Sequence, residues 1–250
     1  MTTDADTEPD AEPGTEPGSE PGSEPGSEPG SDSASDGRVD PRDLLLRTDW
    51  NTVAHCCPDV APETPVILLE LLDEDPRVQG YALRNLAETL IRGDVFHTAT
   101  APAAHYVAAI LGDPRTLTEV TDRVPWEEVK HGPRTPFELR VGLLTWLGDA
   151  TVEALRQRSR PYGDEEDLEA FLALAPEFYE ATRPLLTTGS PETREAALGV
   201  ILPLLRLPAL ADRRAPLRDA VLTTAFADGP LRLRAIDTLH SWGEDISALL

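Results

Sequence analysis

The sequence is poor in the residues that usually reveal a chemistry or a compartment. Cysteine occurs only at Cys56 and Cys57, and adjacent residues rarely meet disulfide geometry without backbone strain. No disulfide framework is therefore expected, which is typical of a reducing cytosol. No apolar run approaches the ~18 residues of a membrane span, and the chain does not start with a charged-then-apolar secretion signal. We therefore expect a cytoplasmic protein with no membrane partner.

The N-terminal segment lacks large apolar residues altogether, from Thr2 to Gly37. Between Glu12 and Ser31 it repeats a four-residue unit, Glu-Pro-Gly followed by Ser or Thr. Such a composition cannot bury enough surface to offset its ordering entropy. The sequence therefore predicts a disordered acidic tail over residues 1–40 and a folded domain over residues 41–250.

Basic residues are also missing from this tail, which carries eleven acids up to Asp36. The rest of the chain has 34 acids and 22 bases, a net charge of −12 within the −23 of the whole protein. Nucleic acids are polyanions, so we expect none as a partner. The charge favours instead a protein or peptide partner, and in particular a basic one.

Four copies of one short pattern are present in the folded part. Each copy has a long polar residue, apolar residues three, four and seven positions later, and a proline two to four residues before it. The copies are Gln79-Ala82-Leu83-Leu86, Arg140-Leu143-Leu144-Leu147, Arg194-Ala197-Leu198-Ile201 and Arg232-Ala235-Ile236-Leu239. This spacing puts the apolar residues on one helical stripe. It predicts four helix starts that share a core, to which Leu83, Leu144, Leu198 and Ile236 contribute.

The copies resemble the helix starts of HEAT repeats, most closely in Pro191–Leu198 and Arg232–Leu239. Asp49-Trp50 followed by Val53-Ala54-His55, and part of Arg92–Thr100, resemble bacterial armadillo-like HEAT proteins of unassigned role, the group related to PBS-lyase HEAT repeats. The polar residues of successive copies lie 61, 54 and 38 residues apart, whereas two-helix repeats recur every ~40 residues. The resemblance therefore implies an all-α fold, an irregular α-solenoid, that acts as a non-enzymatic protein-interaction scaffold.

Patterns that would indicate catalysis or metal binding are missing. The histidines are scattered, and neither a CxxC spacing nor the His-Glu pair of di-iron HEAT-like hydroxylases occurs. No P-loop, nucleophile elbow or dinucleotide fingerprint is found. Trp146 and Asp149, close to Arg140, match loosely the Trp and Asp of HEAT-like DNA glycosylases, but a core Trp followed by a helix-capping Asp explains them equally. We expect no catalytic residue, no cofactor and no metal ligand.

One region, Arg183 to Asp237, is mildly basic, with eight arginines and six acids. It supplies a candidate interaction surface for an acidic ligand, formed by Arg194, Arg213, Arg214, Arg218, Arg232 and Arg234. The tail, Glu8 to Asp36, is one such ligand, and we hypothesise that it folds back over this surface. The alternative is structural: arginines at a fixed repeat position often form a ladder by bonding the acids or carbonyls of neighbouring repeats.

Two other functions stay open at this stage. Small acidic domains suit the neutralisation of basic toxins, so an immunity or antitoxin protein is one alternative. An enzyme accessory or lyase of the HEAT-like type is the other. Exposed aromatic residues anchor interfaces, and the aromatic residues to check for exposure are Trp50, Tyr81, Phe96, Tyr106 and Trp126. The sequence does not set the oligomeric state.

Local signals predict several boundaries within the folded part. We expect a short helix over Asp49–His55, a helix capped by Thr64 with Pro65 in its first turn, and a break at Gly148-Asp149. The stretch Thr116–Arg134 is the least periodic and predicts short helical pieces.

Overall fold

Helix is the main element of the computed structural model, which describes residues 40–56, 58–90, 96–123, 125–132, 134–159 and 165–249. The predicted disordered tail and the first residues of Arg92–Thr100 lie outside these ranges. The hypothesis that the tail covers the arginines therefore concerns residues outside the described part. The described residues belong to the compact unit Gly37–Leu250.

The described residues form α-helices and one pair of two-residue strands. The α-helices are α1 Pro41–Arg47, α2 Thr64–Glu70, α3 Pro76–Thr89, α4 Thr100–Ile110, α5 Pro125–His131, α6 Leu139–Ser159, α7 Glu165–Ala173, α8 Ala175–Thr182, α9 Leu185–Thr188, α10 Pro191–Leu204, α11 Arg218–Phe226 and α12 Arg232–Ser241. The strands are β1 Glu119–Val120 and β2 Phe137–Glu138, and 3₁₀ turns cover Pro58–Glu63, Pro114–Leu117, Pro208–Arg213 and Ala215–Leu217. The expectation of an all-α protein is therefore confirmed.

Each copy of the repeated pattern begins a helix, namely α3, α6, α10 and α12. Two of these starts carry side-chain caps: Asp75 accepts the N–H of Arg77 at 2.8 Å, and Ser190 accepts that of Thr193 at 3.1 Å. Such caps satisfy amides that have no partner inside the helix. Of the four predicted core residues, three are buried and Leu198 is half-buried against the core.

Helix α6 is the central element, and its most extensive packing is against α10, with further contacts to α3, α4 and α7. The predicted break at Gly148-Asp149 is wrong, because α6 continues without interruption to Ser159. Gly148 lies where the backbones of α6 and α10 approach, and a Cβ there would meet the carbonyl oxygen of Gly199 at 3.1 Å. Glycine at this position serves close helix packing and not helix termination.

Near the N-terminus, two local predictions are wrong. Asp49–His55 forms turns and not a helix, because Asp49 Oδ1 accepts the N–H of Asn51 at 3.2 Å and so competes with helical bonding. Buried Trp50 closes this turn by donating from Nε1 to the carbonyl of Leu45 at 2.9 Å. Thr64 does not cap α2, because a 3₁₀ turn runs directly into the helix and leaves Thr64 buried inside its first turn.

The two short strands, which periodicity did not predict, hold the ends of a long connection together. We call β1, α5, β2 and the described residues between them the clip. β1 pairs antiparallel with β2, with Val120 opposite Phe137, and α5 lies in the connection between them. The loop after β1 also touches α3, since a Cβ on Gly80 would lie 2.1 Å from the backbone oxygen of Thr121. The glycine thus lets the clip lie directly on α3.

Most of the aromatic residues considered as anchors belong to the core. Trp50, Phe96 and Tyr106 are buried, whereas Tyr81 is 38% exposed; the Trp126 side chain lies outside the described part. Across that part, no helix has the combined length and apolarity to cross a bilayer.

The close approach at Gly80 yields a stability prediction. In an open helix position, Gly→Ala stabilises by up to ~1 kcal/mol, but at Gly80 the new methyl group must displace backbone. We expect Gly80→Ala to lower the free energy of unfolding by about 1–3 kcal/mol, the range for overpacking. Urea denaturation followed by circular dichroism measures this.

Gly229→Ala is the matched control, because its added Cβ meets no atom within 4 Å. It should leave stability unchanged or slightly raised. A Gly80→Ala variant as stable as the wild type would contradict the packing of the clip on α3.

Candidate functional site

A groove of about 1220 Å³ lies between α3 and α6. Its wall on α6 follows one helical face, Gly142, Trp146, Asp149 and Glu153, and its wall on α3 runs from Leu83 to Glu88. The clip closes the remaining side, with Asp122 and Arg123 after β1, Glu127 and His131 on α5, and Arg134–Phe137 leading into β2.

The floor of the groove is apolar and includes Leu83, Phe137, Val141, Trp146 and Ala150. Trp146 is only 7% exposed, and its indole Nε1 has no hydrogen-bond partner among the described residues. A buried donor without an acceptor costs about 1–3 kcal/mol of stability. The apolar lining therefore includes one tryptophan whose N–H group is buried without an acceptor.

The arginines of the groove are all engaged by groups of the protein itself. Arg84 donates to both carboxylate oxygens of Glu127 and contacts Glu88 at 2.9 Å from Nε. Arg134 Nη1 contacts both oxygens of Asp122, at 2.6 and 2.5 Å, and its guanidinium lies 5.3 Å from the ring centre of Phe137.

The third arginine, Arg123, donates from Nη1 to the carbonyl oxygen of Gly132 at 2.5 Å and to that of His131 at 3.4 Å. These bonds and the Arg84–Glu127 pair tie α5 to the rest of the domain. The cationic side chains therefore build the walls of the groove.

The carboxylates have more capacity left. The side chains of Glu88 and Asp149 are 55% and 59% exposed, and each forms an ion pair with one arginine, Arg84 and Arg234 respectively. A carboxylate has about four acceptor positions, so a single arginine does not saturate it. The rim of the groove thus offers acceptors on both helices.

Two pKa shifts in the groove describe its electrostatics. The hydrogen bond that Arg84 donates to Glu127 is the main cause that raises the pKa of Arg84. Burial acts to raise the pKa of Glu153, but hydrogen bonds from Arg156 and Gln157 outweigh it and leave that pKa lowered. Both shifts favour the charged form, which suits ion pairing and not proton transfer near neutral pH.

The six arginines of the predicted interaction surface occupy α10, the 3₁₀ connection and the last two helices. Five of them contact groups of the protein. Arg213 pairs with Glu180 at 3.3 Å, and Arg218 forms two bonds with Glu244 at 2.7 and 2.8 Å. Arg214 and Arg232 donate to main-chain carbonyls, those of Leu205 at 2.9 Å and Leu249 at 2.6 Å. Arg234 donates to Asp149 and to the carbonyl of Gly199. Arg194 is exposed. These contacts support the structural alternative, while an acidic ligand on this surface stays a prediction.

The polar residue that opens each repeat follows the expected ladder in the N-terminal half. Gln79 Nε2 donates to the carbonyls of Leu71 and Arg115, both at 3.2 Å. Arg140 is 8% exposed and donates to Thr116 Oγ1 at 2.9 Å and to the carbonyl of Asp113 at 3.0 Å. Buried side chains thus join the starts of α3 and α6 to the turns between helices.

In the described part of the chain, histidine and cysteine side chains do not come together as a metal site. The segments around His55 and His97 do meet, through a bond from the Ala99 N–H to the Ala54 carbonyl at 3.1 Å. Burial lowers the pKa of His97, against the opposite effect of Asp167. Among the described residues, however, no group of three or more His, Cys, Asp or Glu side chains is placed to hold a metal ion. Cys57 lies outside those residues.

Sequence reasoning noticed Trp146 and Asp149 but interpreted Asp149 wrongly. Asp149 does not cap a helix, because it lies within α6 and pairs with Arg234 of α12. The remaining groove residues were missed. The only sequence signal was the stripe Gly142, Trp146, Asp149 and Glu153, which shares one face of α6.

The ladder predicts unequal roles for two arginines that hold the same repeat position. Arg140→Met should lower the free energy of unfolding by about 1.5–3 kcal/mol, since it removes charge-assisted bonds to buried acceptors. Arg194→Met changes an exposed residue and should stay within about 0.5 kcal/mol of the wild type. Thermal and urea unfolding of both variants make the comparison, and equal effects would contradict the ladder.

Comparisons with known proteins assign no family. No protein-family model, no curated protein and no solved structure matches the chain. The resemblance to HEAT repeats therefore rests on the residues of the repeated pattern, and the function proposed below rests on the groove.

Proposed function

We propose that the chain is a cytoplasmic, non-enzymatic interaction scaffold, in which an irregular α-solenoid of HEAT-like repeats binds a protein or peptide segment in the groove between α3 and α6. The groove is the observation that carries this proposal. An apolar floor bounded by charged side chains is the usual anatomy of an interface, a hydrophobic centre with a polar rim.

The solenoid part of the proposal is supported by the placement of the repeats. Each of the four copies opens a helix, and the polar residue of three copies, Gln79, Arg140 and Arg232, donates to main-chain carbonyls. Long polar side chains in the same repeat position thus perform a similar structural task. Unequal spacing of the copies and the clip around α5 account for the irregularity.

The size of the groove favours a polypeptide over a small metabolite. Its volume of about 1220 Å³ exceeds the ~300–1,000 Å³ typical of small-molecule sites. Its walls are faces of two helices, so an extended segment can lie between them. Such a segment meets side chains on both sides along its length.

The charges of the groove favour binding over catalysis. Arg84 and Glu153 are held in their charged forms by neighbouring groups, whereas a general acid or base needs a pKa near the working pH. Paired charges of this kind fix the shape of a surface and set its electrostatic preference.

A groove-filling substitution tests the proposal. Thr145 is exposed, lines the groove, and donates from Oγ1 to the carbonyl of Val141 at 2.8 Å. We would select peptides from a random 15-residue display library against the full chain and measure their binding to Thr145→Trp. The indole should occupy the groove, and we expect the affinity to fall about tenfold or more.

Thr223→Trp is the matched control, because Thr223 is also exposed on a helix and donates to the carbonyl four residues earlier at 2.8 Å. It should bind the selected peptides as the wild type does. If the library yields no binder, or if the selected peptides bind both variants equally, the groove is not the binding site.

A further inference from the structure

We propose that the occupant of the groove is a cationic peptide segment, whose arginine or lysine side chains pair with Glu88 on α3 and Asp149 on α6 while a backbone carbonyl accepts from the indole of Trp146. This inference rests on the proposed function and specifies its partner. Three features of the groove support it. The lining has more carboxylates than arginines, two of the carboxylates are exposed on facing helices, and the indole N–H of Trp146 has no acceptor among the described residues.

The first feature is the balance of charged side chains in the lining of the groove. The lining holds five carboxylates but three arginines, and each of Arg84, Arg123 and Arg134 already contacts a group of the protein. The lining therefore has an excess of two negative charges, which opposes the binding of an anion. The groove is therefore a poor anion site.

The second feature is the position of the two exposed carboxylates, which keep acceptor positions beyond those that their arginines use. Glu88 and Asp149 lie on the two helices that face each other across the groove, with side chains 55% and 59% exposed. Glu88 also belongs to the last turns of α3, where the helix dipole favours a cation. A segment with two basic side chains can pair with both walls at once.

The third feature is independent of charge. Trp146 is only 7% exposed, and its buried Nε1 atom has no acceptor among the described residues, so a ligand reaches this donor only after the indole turns toward the groove. Within the groove wall, a peptide carbonyl is the most common acceptor that a polypeptide ligand brings. Forming this bond removes the cost of the unsatisfied donor, and it positions the peptide over the apolar floor.

Three synthetic 12-residue peptides test the inference by fluorescence anisotropy on the full chain. They share one sequence of alternating variable and apolar residues, with arginine, glutamine or glutamate at the variable positions. The arginine peptide should bind most tightly, and its affinity should fall as salt is raised, because exposed ion pairs are screened. The glutamate peptide should not compete with it.

Two doubly substituted variants separate the groove from general attraction to an acidic protein. Glu88→Gln/Asp149→Asn removes both rim carboxylates, and we expect about a fivefold rise in Kd for the arginine peptide, the size of two exposed charge pairs. Glu169→Gln/Glu180→Gln removes two carboxylates of similar exposure, 53% and 49%, outside the groove. It has the same net charge and the same acidic tail, and it should change Kd less than twofold.

Trp146→Phe tests the donor. It keeps an aromatic ring and removes the N–H, so Kd should rise about threefold, consistent with one hydrogen bond. Because the smaller ring leaves a cavity at a buried position, the variant should also be less stable, so Kd is compared at a temperature where both proteins are folded. Unchanged affinity would contradict the role of the indole.

The other outcomes distinguish this inference from the proposed function. If the two double variants weaken the arginine peptide equally, the attraction is not specific to the groove and the inference is wrong. If the glutamine or glutamate peptide binds more tightly and is blocked by Thr145→Trp, the groove binds peptides but the partner is not cationic. If no peptide, synthetic or library-derived, depends on the groove, both proposals fail.

Discussion

The close approach of α6 and α10 at Gly148 and Gly199 determines how the rest of the domain is arranged. A side chain at Gly148 would meet the carbonyl oxygen of Gly199 at 3.1 Å, so any larger residue there would push the two backbones apart by a few tenths of an ångström. Arg234 of α12 lies at the same crossing and donates to that carbonyl and to Asp149. Three helices from three copies of the repeated pattern therefore meet at one point.

This crossing also gives α6 its second role. One face of the helix packs into the core, where Leu143, Leu144 and Leu147 are fully buried. Another face, which includes Trp146 and Asp149, forms a wall of the groove. Asp149 belongs to both regions, because its carboxylate pairs with Arg234 at the crossing and remains 59% exposed at the rim. The position of the groove thus depends on the packing of the core.

The sequence predicted those features that depend on neighbouring residues. Helix starts were visible because the apolar period and caps such as Asp75 and Ser190 are local signals. The role of Gly148 was not visible, because a glycine that admits another helix looks the same in sequence as one that ends a helix. Only the position of Gly199 in the fold separates the two.

The groove was harder to predict for a similar reason. Glu88 and Asp149 come from different repeats, and no local pattern indicates that they face one cavity. The clip was missed because strands of two residues are too short to show a period. The arginines, in contrast, stood out by their number, yet five of the six contact groups of the protein itself. Composition indicates where charge is present, whereas the folded structure decides which charges are free.

Hydrogen exchange of the α6 amides is the measurement that tests the account most directly. If α6 is the element on which the groove and the core both depend, its amides from Leu143 to Leu155 can exchange only when the whole domain unfolds. Their opening free energy should then equal the free energy of unfolding measured with urea. Exchange of these amides at a lower free energy than those of α3 and α10 would show that α6 opens by itself, and would contradict its central place in the structure.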